Sequence, residues 1–348
     1  MEDDGRLAHA VLMEITSIAD HRGVFDRARA IAAGWNDEAL RAMVGAGEID
    51  RLFRGWYAAS PAVDAWARHL QLSDALLRHF DGRAALSHYS AAVWHGLPIF
   101  NANPRTVHLV RVSDHSTRHR AAAVVHQLPA RRDFVGAGLT VPGRARGDVP
   151  IRQWIVGQPP FLAVTPALSA VQSGLLGDPL AALMAADAAL HRGIAQTGEL
   201  NAAVQLYAGA AGIGHTRAIL QHVDPRAESP NESHARWIVI GLGYRVVSQP
   251  TVFAEGWEYR ADLALETHPV LIEVDGASKC ASRQDLLDEK MREDRLRRRG
   301  WAIVRVLTPD INRPTIAHRV ALAVREAEER RGTWPEVPWA AWSNRGVA

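Results

Sequence analysis

The stretch RADLALETHPVLIEVDGASK, residues 260–279, decides the predicted fold of the C-terminal part of this chain. Two apolar runs flank the short segment ETHP, a pattern that predicts a β-hairpin with a four-residue turn. In that register Leu265 faces Val270, and Asp262 lies directly opposite Glu273. Facing residues of two strands have Cβ atoms only about 4.5 to 5.5 Å apart, so like charges at such positions repel. The hairpin therefore brings together two carboxylates whose repulsion must be offset.

Side chains alternate between the two faces of a strand, so the register also assigns the faces of the hairpin. The face with the acids holds Asp262, Ala264, Leu271, Glu273 and Asp275. The other face is the predicted core face and holds Leu263, Leu265, Val270, Ile272 and Val274. The same register predicts that Arg260 lies opposite Asp275. A slip of one residue would reverse both faces.

Three arrangements would offset the repulsion between Asp262 and Glu273. A divalent cation, Mg²⁺ or Mn²⁺, is one, because Mg²⁺ prefers oxygen ligands and usually binds one or two carboxylates with water and substrate phosphate. Protonation of one acid is another, and pairing with an arginine such as Arg260 is the third. The alternative is that these acids have no function and lie at a solvent-exposed hairpin end, where Arg260 and Asp275 form an ordinary ion pair. We adopt the metal site as the working hypothesis.

The composition indicates a globular protein of two or three domains, with 348 residues of which 47% are hydrophobic and 22% are charged. The single cysteine, Cys280, excludes a disulfide framework and suits a reducing compartment. No apolar run approaches the roughly 20 residues that cross a bilayer, and the acidic N-terminus lacks the features of a signal peptide. We therefore predict a cytoplasmic protein that does not bind membranes.

The basic residues are used unevenly, since 38 of the 40 are arginine and the two lysines, Lys279 and Lys290, lie within one span of twelve residues immediately after the carboxylates. A lysine ammonium is a compact point charge, unlike the planar guanidinium. Chance explains this placement, or the site requires an ammonium group. The sequence leaves both explanations open.

Residues 7–57 have the outline of a winged helix-turn-helix, with three short helices followed by a hairpin in IDRLFRGWY. Asp26 and Asn36 are predicted to cap the second and third helices. The residues predicted to contact DNA lie on the last helix and the hairpin: Arg41, Arg51 and Arg54. The alternative is a small packing module that contacts no nucleic acid.

Residues 59–224 are predicted to form a mixed middle domain that connects the two ends or contacts a partner. Two apolar segments, 106–112 and 122–128, are predicted to be strands that pair. The segment LSHYSAAVWHGL contains His88 and His95 without an acidic partner. We interpret both histidines as packing or capping residues.

Residues 225–330 show the element order α-β-β-β-α-β, which predicts a mixed sheet with helices on its faces. The helix within 282–300 holds three acid–base pairs at the favourable i,i+4 spacing. That pattern is typical of a solvated helix, but Arg295 and Arg299 are left over and are predicted to face a phosphate backbone. The tail, 331–348, is predicted to pack on a neighbouring domain.

The C-terminal region, from about Ala227 to Ala323, resembles the PD-(D/E)xK nucleases and most specifically the very-short-patch-repair-like endonuclease domains. The resemblance is carried by SPNES with Arg236, Gln249, Asp262, IEVDG, Lys279, EKMRED and GWAIVRV. The first 57 residues and LSHYSAAVWHGL resemble the AbiEi-type antitoxins and regulators, whose winged helix binds DNA. Together the two halves resemble actinobacterial proteins that join an AbiEi-like part to such a nuclease-like domain.

The resemblance implies that Asp262 and Glu273 bind the metal and that Glu232 is a third acid, which binds metal or positions water. In this chain Asp275 stands where the (D/E)xK motif has its lysine. The positive charge of that lysine would therefore have to come from Lys279 or Lys290. An ammonium group near the reacting phosphate can orient water or stabilise developing charge.

The expected protein is therefore an α+β and α/β multidomain chain with a restriction-endonuclease-like C-terminal domain. The predicted division is a winged helix-turn-helix at 1–58, an AbiEi-like middle domain at 59–224, a nuclease domain at 225–330 and a tail at 331–348. The expected function is Mg²⁺-dependent hydrolysis of DNA in genome defence or DNA processing. The alternative is a non-enzymatic AbiEi-type regulator or antitoxin with a degenerate nuclease-like domain. Either protein would act as a homodimer or with a partner protein.

Overall fold

A computed structural model describes residues 17–59, 62–112, 118–120, 123–127, 151–275, 283–331 and 334–337. The chain divides into two compact units: the first holds residues 1–182 and 195–217, and the second holds 183–194 and 218–348. The described parts contain eleven α-helices and four sheets, so the predicted mixed α+β multidomain architecture is confirmed. The four-domain division remains a prediction. In these parts no helix is both long and apolar enough to cross a bilayer.

The first unit begins with a small three-stranded sheet and two helices. Its elements are β1 (Val24–Asp26), α1 (Arg27–Ala32), α2 (Asp37–Ala46), β2 (Asp50–Phe53) and β3 (Trp56–Ala58). The strand order is β1-β3-β2, and all pairs are antiparallel. Asp26 and Asn36 cap α1 and α2 as predicted, each accepting a backbone N–H. The first predicted helix lies almost entirely outside the described residues.

A six-stranded sheet forms the centre of the first unit, in the order β6-β7-β5-β4-β9-β8. Its strands are β4 (Ala84–Leu86), β5 (Val107–Arg111), β6 (Arg118–Arg120), β7 (Ala123–His126), β8 (Ile155–Gln158) and β9 (Phe161–Val164). The predicted pairing of segments 106–112 and 122–128 is confirmed, because β5 and β7 form a parallel ladder. The sheet is accompanied by helices α3 (Ala65–Phe80), α4 (His88–Trp94), α5 (Pro166–Gly174), α7 (Thr197–Leu206) and α8 (Ile213–Leu220). Helix α6 (Pro179–His191) has residues in both units, and so does α8.

The second unit contains a four-stranded mixed sheet in the order β10-β13-β14-β15, with β14 and β15 parallel. Its strands are β10 (Val246–Ser248), β13 (Leu263–Leu265), β14 (Val270–Asp275) and β15 (Ala302–Leu307). A separate hairpin is formed by β11 (Thr251–Ala254) and β12 (Trp257–Arg260). The helices are α9 (Pro230–Gly241), α10 (Arg283–Arg298) and α11 (Arg313–Glu329).

The predicted register of the opening hairpin is confirmed, since Leu263 pairs with Ile272 and Ala264 pairs with Leu271. The predicted placement of Arg260 opposite Asp275 is wrong. Arg260 ends β12, where it pairs with Thr251, and its guanidinium lies 2.9 Å from a carboxylate oxygen of Glu228. The chain changes sheets between β12 and β13, so the antiparallel register does not extend back to Arg260.

The α-β-β-β-α-β order predicts one strand in the segment YRVVSQPTVF, residues 244–253, but the segment forms two strands that belong to different sheets. The break falls at Gln249, which has the left-handed backbone angle φ 51°, and at the following Pro250. A left-handed residue cannot continue a strand, and proline has no N–H to donate to the ladder. The chain therefore leaves β10 and starts the β11–β12 hairpin.

Both faces of the four-stranded sheet are covered. The predicted core face, with Leu263 and Ile272, packs on α9 and α11 through residues such as Val239 and Val320. The face with Ala264 and Leu271 is also buried. Its cover includes residues from β11, α10 and the start of β15: Val252, Leu296 and Trp301. Asp262, just before β13, and Glu273, on β14, thus lie at the end of a sheet that is enclosed on both sides, and Glu273 is only 7% exposed.

A buried ion pair joins α6 to α9 within the second unit. Arg236 places one guanidinium nitrogen 2.5 Å from Asp187 Oδ2 and donates another hydrogen bond to the His222 carbonyl. The Asp187 carboxylate also accepts the Asp224 N–H at 2.7 Å. Burial raises the pKa of Asp187, while Arg236 acts in the opposite direction. This pair gives Arg236, one of the residues that carry the nuclease resemblance, an architectural role.

Candidate functional site

The acidic residues of the opening stretch lie at one end of the four-stranded sheet. Asp262 immediately precedes β13, and its Oδ2 accepts the N–H of Val274 at 2.7 Å. Glu273 lies on β14, and burial raises the pKa of its carboxyl, with the negative charge of Asp262 contributing in the same direction. The hydrogen bond to Val274 places the Asp262 carboxylate beside the residue that follows Glu273. Their roles as ligands remain predictions.

Glu232 is buried in the first turn of α9, where the side chain of Ser229 caps the helix. Its Oε2 accepts the Glu228 N–H at 3.0 Å and the side-chain amide of Gln249 at 2.9 Å. The backbone N–H of Gln249 in turn donates to the Asp262 carbonyl at 2.8 Å. Gln249 therefore links Glu232, the third predicted acid, to Asp262 just before β13.

Arg292 supplies the positive charge at Glu273. Its Nη2 lies 2.6 Å from Glu273 Oε1 and also donates to the Arg260 carbonyl at 3.1 Å. The contact with Glu273 is an ion pair without hydrogen-bond alignment, since Oε1 is buried and accepts no hydrogen bond from any residue that the structure describes. The sequence interpretation missed Arg292. The available signal was its position one helical turn before Leu296, a buried residue of α10.

The described structure says little about the two lysines and Asp275, which were also predicted to belong to the site. Lys279 and the side chain of Asp275 lie outside the described residues, and Lys290 is exposed on α10. The positive charges described near Glu273 belong to arginines. Burial raises the pKa of the Glu273 carboxyl, whereas Arg292 and, to a smaller extent, Arg305 lower it. The predicted role of a lysine is thus untested.

Helix α10 binds the β11–β12 hairpin through arginines. Arg295 donates to the Tyr259 hydroxyl at 3.1 Å and lies 5.1 Å from the ring centre of Trp257. Arg298 makes two hydrogen bonds to Glu255, at 2.8 and 2.9 Å. Of the predicted intrahelical pairs, Glu293–Arg297 forms at 2.6 Å. Arg299, predicted with Arg295 to face DNA, is exposed near the end of the helix.

The acid site, which consists of Asp262 and Glu273, has donor atoms that suit a divalent cation. Asp262 and Glu273 offer carboxylate oxygens from neighbouring strands, which is the ligand type that Mg²⁺ and Mn²⁺ prefer. One of those oxygens, Glu273 Oε1, is buried without a hydrogen bond from the described residues. Arg292 occupies the space beside that oxygen. A cation at this site would therefore compete with, or displace, the guanidinium.

The N-terminal module exposes the three arginines predicted to contact DNA. Arg51 lies on β2, Arg54 lies in the β2–β3 turn, and Arg41 lies on α2, where its Nε donates to the Asp37 carbonyl at 3.1 Å. Gly55 makes this tight turn possible, because its φ of 82° is in the left-handed region. The turn and the helix thus present exposed positive charge.

A cluster of three histidines lies in the central sheet of the first unit. His88, His108 and His126 each place one ring nitrogen within 4.8 Å of the others. His108 Nδ1 is 2.7 Å from His126 Nε2, and the ring centres of His88 and His126 are 4.1 Å apart. Burial lowers the pKa of His108 to about 3 and that of His88 well below its ordinary value, so both rings are neutral near pH 7.

The sequence interpretation found only part of this cluster. His95 packs as predicted, with its Nε2 2.7 Å from the Val164 carbonyl. His88 instead contacts His108 and His126, which were not selected. Both of those residues lie in the two segments predicted to be paired strands, which was the signal available for them.

A second group of metal-ligating residues in the first unit, Asp20, His21 and Asp74, is already balanced by arginines. Arg78 lies 2.6 Å from Asp20, and Arg22 lies 3.2 Å from Asp74. Burial raises the pKa of Asp74 to about 7. This group needs no metal ion to offset its charge.

The fold is that of a mixed α+β multidomain protein, and a family match makes its N-terminal region AbiEi-like. Residues 13–60 match the family model described as "Transcriptional regulator, AbiEi antitoxin". Two uncharacterized proteins of Mycobacterium tuberculosis, from strains CDC 1551 and H37Rv, are each 32% identical to this chain over 164 residues. The match covers 46% of this chain and 60% of each relative.

Proposed function

We propose that this protein binds DNA and hydrolyses its phosphodiester bonds with Mg²⁺ or Mn²⁺. The observation that carries this proposal is the placement of Asp262, whose Oδ2 accepts the Val274 N–H at 2.7 Å, beside Glu273 at the enclosed end of a mixed sheet. The α-β-β-β-α-β order of the second unit, apart from the inserted β11–β12 hairpin, supports a nuclease-like domain.

In this proposal Asp262 and Glu273 hold the cation, and Glu232 is aligned with them through Gln249. The bound cation would lower the pKa of water and neutralise charge on the phosphate. Arg292 has two states, pairing with Glu273 before the cation binds and with a phosphate oxygen of DNA afterwards. A guanidinium suits this exchange because it pairs with carboxylates and phosphates in similar geometry.

The N-terminal module is proposed to be a winged helix that positions DNA. Its helices α1 and α2 are joined by Arg27 and Asp37, which make two hydrogen bonds of 2.7 Å, and the β2–β3 hairpin would serve as the wing. The match of residues 13–60 to a transcriptional-regulator family supports DNA binding by this part. Arg41, Arg51 and Arg54 would contact phosphates or base edges.

A second candidate function is that of a DNA-binding regulator or antitoxin without hydrolytic activity. Two observations favour it: the family match at the N-terminus, and an arginine in contact with the acid that would hold the cation. The absence of lysine from the (D/E)xK position, where Asp275 stands, points the same way.

Incubation of the purified full-length protein with supercoiled plasmid tests the leading proposal. We expect nicked or linear DNA with Mg²⁺ or Mn²⁺ and intact plasmid with EDTA, over a range of salt concentrations. Metal binding is measured in parallel by calorimetry with Mn²⁺. Intact plasmid under every condition, together with sequence-specific DNA binding, would establish the regulator instead.

We expect the double substitution Arg51→Ala, Arg54→Ala to weaken DNA binding by roughly tenfold at moderate salt, because each exposed arginine that contacts a phosphate releases about one counterion. The slope of log affinity against log salt should fall by about two. Fluorescence anisotropy with a labelled duplex measures both quantities. Arg330→Ala, which removes an exposed arginine of the second unit, is the control. Unchanged affinity and slope would remove the hairpin from the DNA interface.

A further inference from the structure

We propose that His88, His108 and His126 form a binding site for a transition-metal dication, with Zn²⁺ as the best match. The site lies wholly in the first unit and is separate from the acid site of the second unit. Three imidazoles are the donor set typical of Zn²⁺ and its neighbours Co²⁺, Ni²⁺ and Cu²⁺, whereas Mg²⁺ prefers oxygen ligands. The proposal therefore concerns a different kind of metal from that of the acid site.

Adjacent strands of the central sheet bring the three rings together. His108 pairs with Val124 and Val110 pairs with His126, so the parallel register of β5 and β7 places both histidines on one face. His88 begins α4 directly after β4, the other neighbour of β5, and the Ser87 N–H donates to the His108 carbonyl at 2.9 Å. The site is thus supported by rigid elements.

Hydrogen bonds outside the cluster orient the ring of His108. The Tyr89 hydroxyl lies within donating distance of the carbonyls of Asn103 and Thr106, at 2.8 and 3.1 Å. Since that hydroxyl has a carbonyl to receive its proton, it accepts the Nε2–H of His108 at 2.9 Å. This leaves the lone pair of His108 Nδ1 directed at His126, where it is available to a metal ion. Metal-bound histidines almost always have such an outer hydrogen bond.

The contact between His108 Nδ1 and His126 Nε2, at 2.7 Å, requires a proton between the two nitrogens in the metal-free protein. A dication replaces that proton and separates the nitrogens. Two imidazole ligands at about 2.1 Å from a tetrahedral ion lie roughly 3.4 Å apart, so this pair opens by under ~1 Å. The ligand nitrogens of the cluster all lie within 4.8 Å of one another, so any pair closes by at most about 1.4 Å, which rotation of the rings provides.

The backbone of His88 is held in an unusual conformation that supports a specific role for its ring. Its φ is 51°, in the left-handed region that costs a non-glycine residue of order 1 kcal/mol or more. His88 is 4% exposed, and its N–H donates to Gln172 at 2.9 Å. His126 is partly exposed, which leaves an ion a route to the otherwise buried cluster.

Titration of the EDTA-treated full-length protein with Co²⁺ and Zn²⁺ tests the site. With excess Mg²⁺ present to occupy the acid site, we expect one Co²⁺ per chain with visible d–d absorption, displaced by one equivalent of Zn²⁺. His126→Ala, at the most exposed of the three positions, should lower Zn²⁺ affinity at least about a hundredfold, and Tyr89→Phe should lower it about tenfold. Affinity is measured by competition with a chromophoric chelator.

Two controls isolate the cluster. His215→Ala removes an exposed histidine of α8, and Asp262→Asn alters the acid site; both should retain the Co²⁺ spectrum. Circular dichroism and thermal unfolding verify that each variant is folded. The test uses His126→Ala because a variant of the buried His108 could fail to fold. Zn²⁺ affinity weaker than micromolar, or equal affinity in the wild type and His126→Ala, would overturn the proposal.

Discussion

The Asp262→Asn variant is expected to lose at least about a hundredfold of the metal-dependent plasmid-nicking rate while it retains its affinity for DNA. Asparagine has nearly the shape of aspartate, and its side-chain oxygen can still accept the Val274 N–H that Asp262 accepts at 2.7 Å. The variant therefore keeps the start of β13 but loses one negative charge at the cation. Changes in the shell around a metal already cost 10–100-fold, so loss of a ligand charge should cost at least as much.

The matched control is Asp294→Asn, the same chemical change at an exposed position of α10. Nicking rates are measured under single-turnover conditions across a Mn²⁺ titration, and DNA affinity is measured by anisotropy in Ca²⁺ or EDTA. We expect higher Mn²⁺ concentrations to restore part of the rate if the defect lies in cation binding. Equal rates for the wild type, Asp262→Asn and Asp294→Asn would assign any nicking to a contaminant or to another site.

Features of the fold that depend on near neighbours in sequence could be predicted. The register of β13 and β14 follows from two alternating runs and a four-residue turn, and the observed pairs agree with it. The caps Asp26, Asn36 and Ser229 follow from side chains that accept an N–H three residues later. These interactions are local, so the residue types and their spacing are sufficient to identify them.

Contacts between distant segments could not be predicted. Arg292 reaches Glu273 from a different element, and the pairing depends on how α10 lies over the sheet. Arg260 was misplaced because no residue signals that the chain changes sheets beyond β12. The histidine cluster joins positions that are 38 residues apart in sequence at their extremes, from His88 to His126. The strands that hold His108 and His126 were predicted. Whether the two side chains lie on the same face of the sheet depends on the parallel register of β5 and β7, which the sequence pattern alone does not specify.

Replacement of Arg236 by methionine is expected to destabilise the second unit by about 3–5 kcal/mol, which is the usual cost of removing one partner from a buried ion pair. Methionine replaces most of the apolar part of the arginine side chain. The loss of stability therefore comes mainly from the Asp187 carboxylate, which is 1% exposed and is left without its guanidinium partner. Urea unfolding followed by tryptophan fluorescence measures the change. Arg330→Met, in an exposed pair with Glu326, is the control and should cost under about 1 kcal/mol.

The pH dependence distinguishes a buried charge from simple loss of packing. Burial already raises the pKa of Asp187 in the folded protein, and loss of Arg236 raises it further. The folded variant then holds a proton that the unfolded chain has lost, so its stability falls as the pH rises from the unfolded pKa towards the folded one. We expect the deficit of Arg236→Met to be smaller at pH 5 than at pH 8, and Asp187→Asn in the same background to reduce that difference. A deficit that is constant with pH would mean that Arg236 stabilises α6 and α9 through its packing rather than its charge.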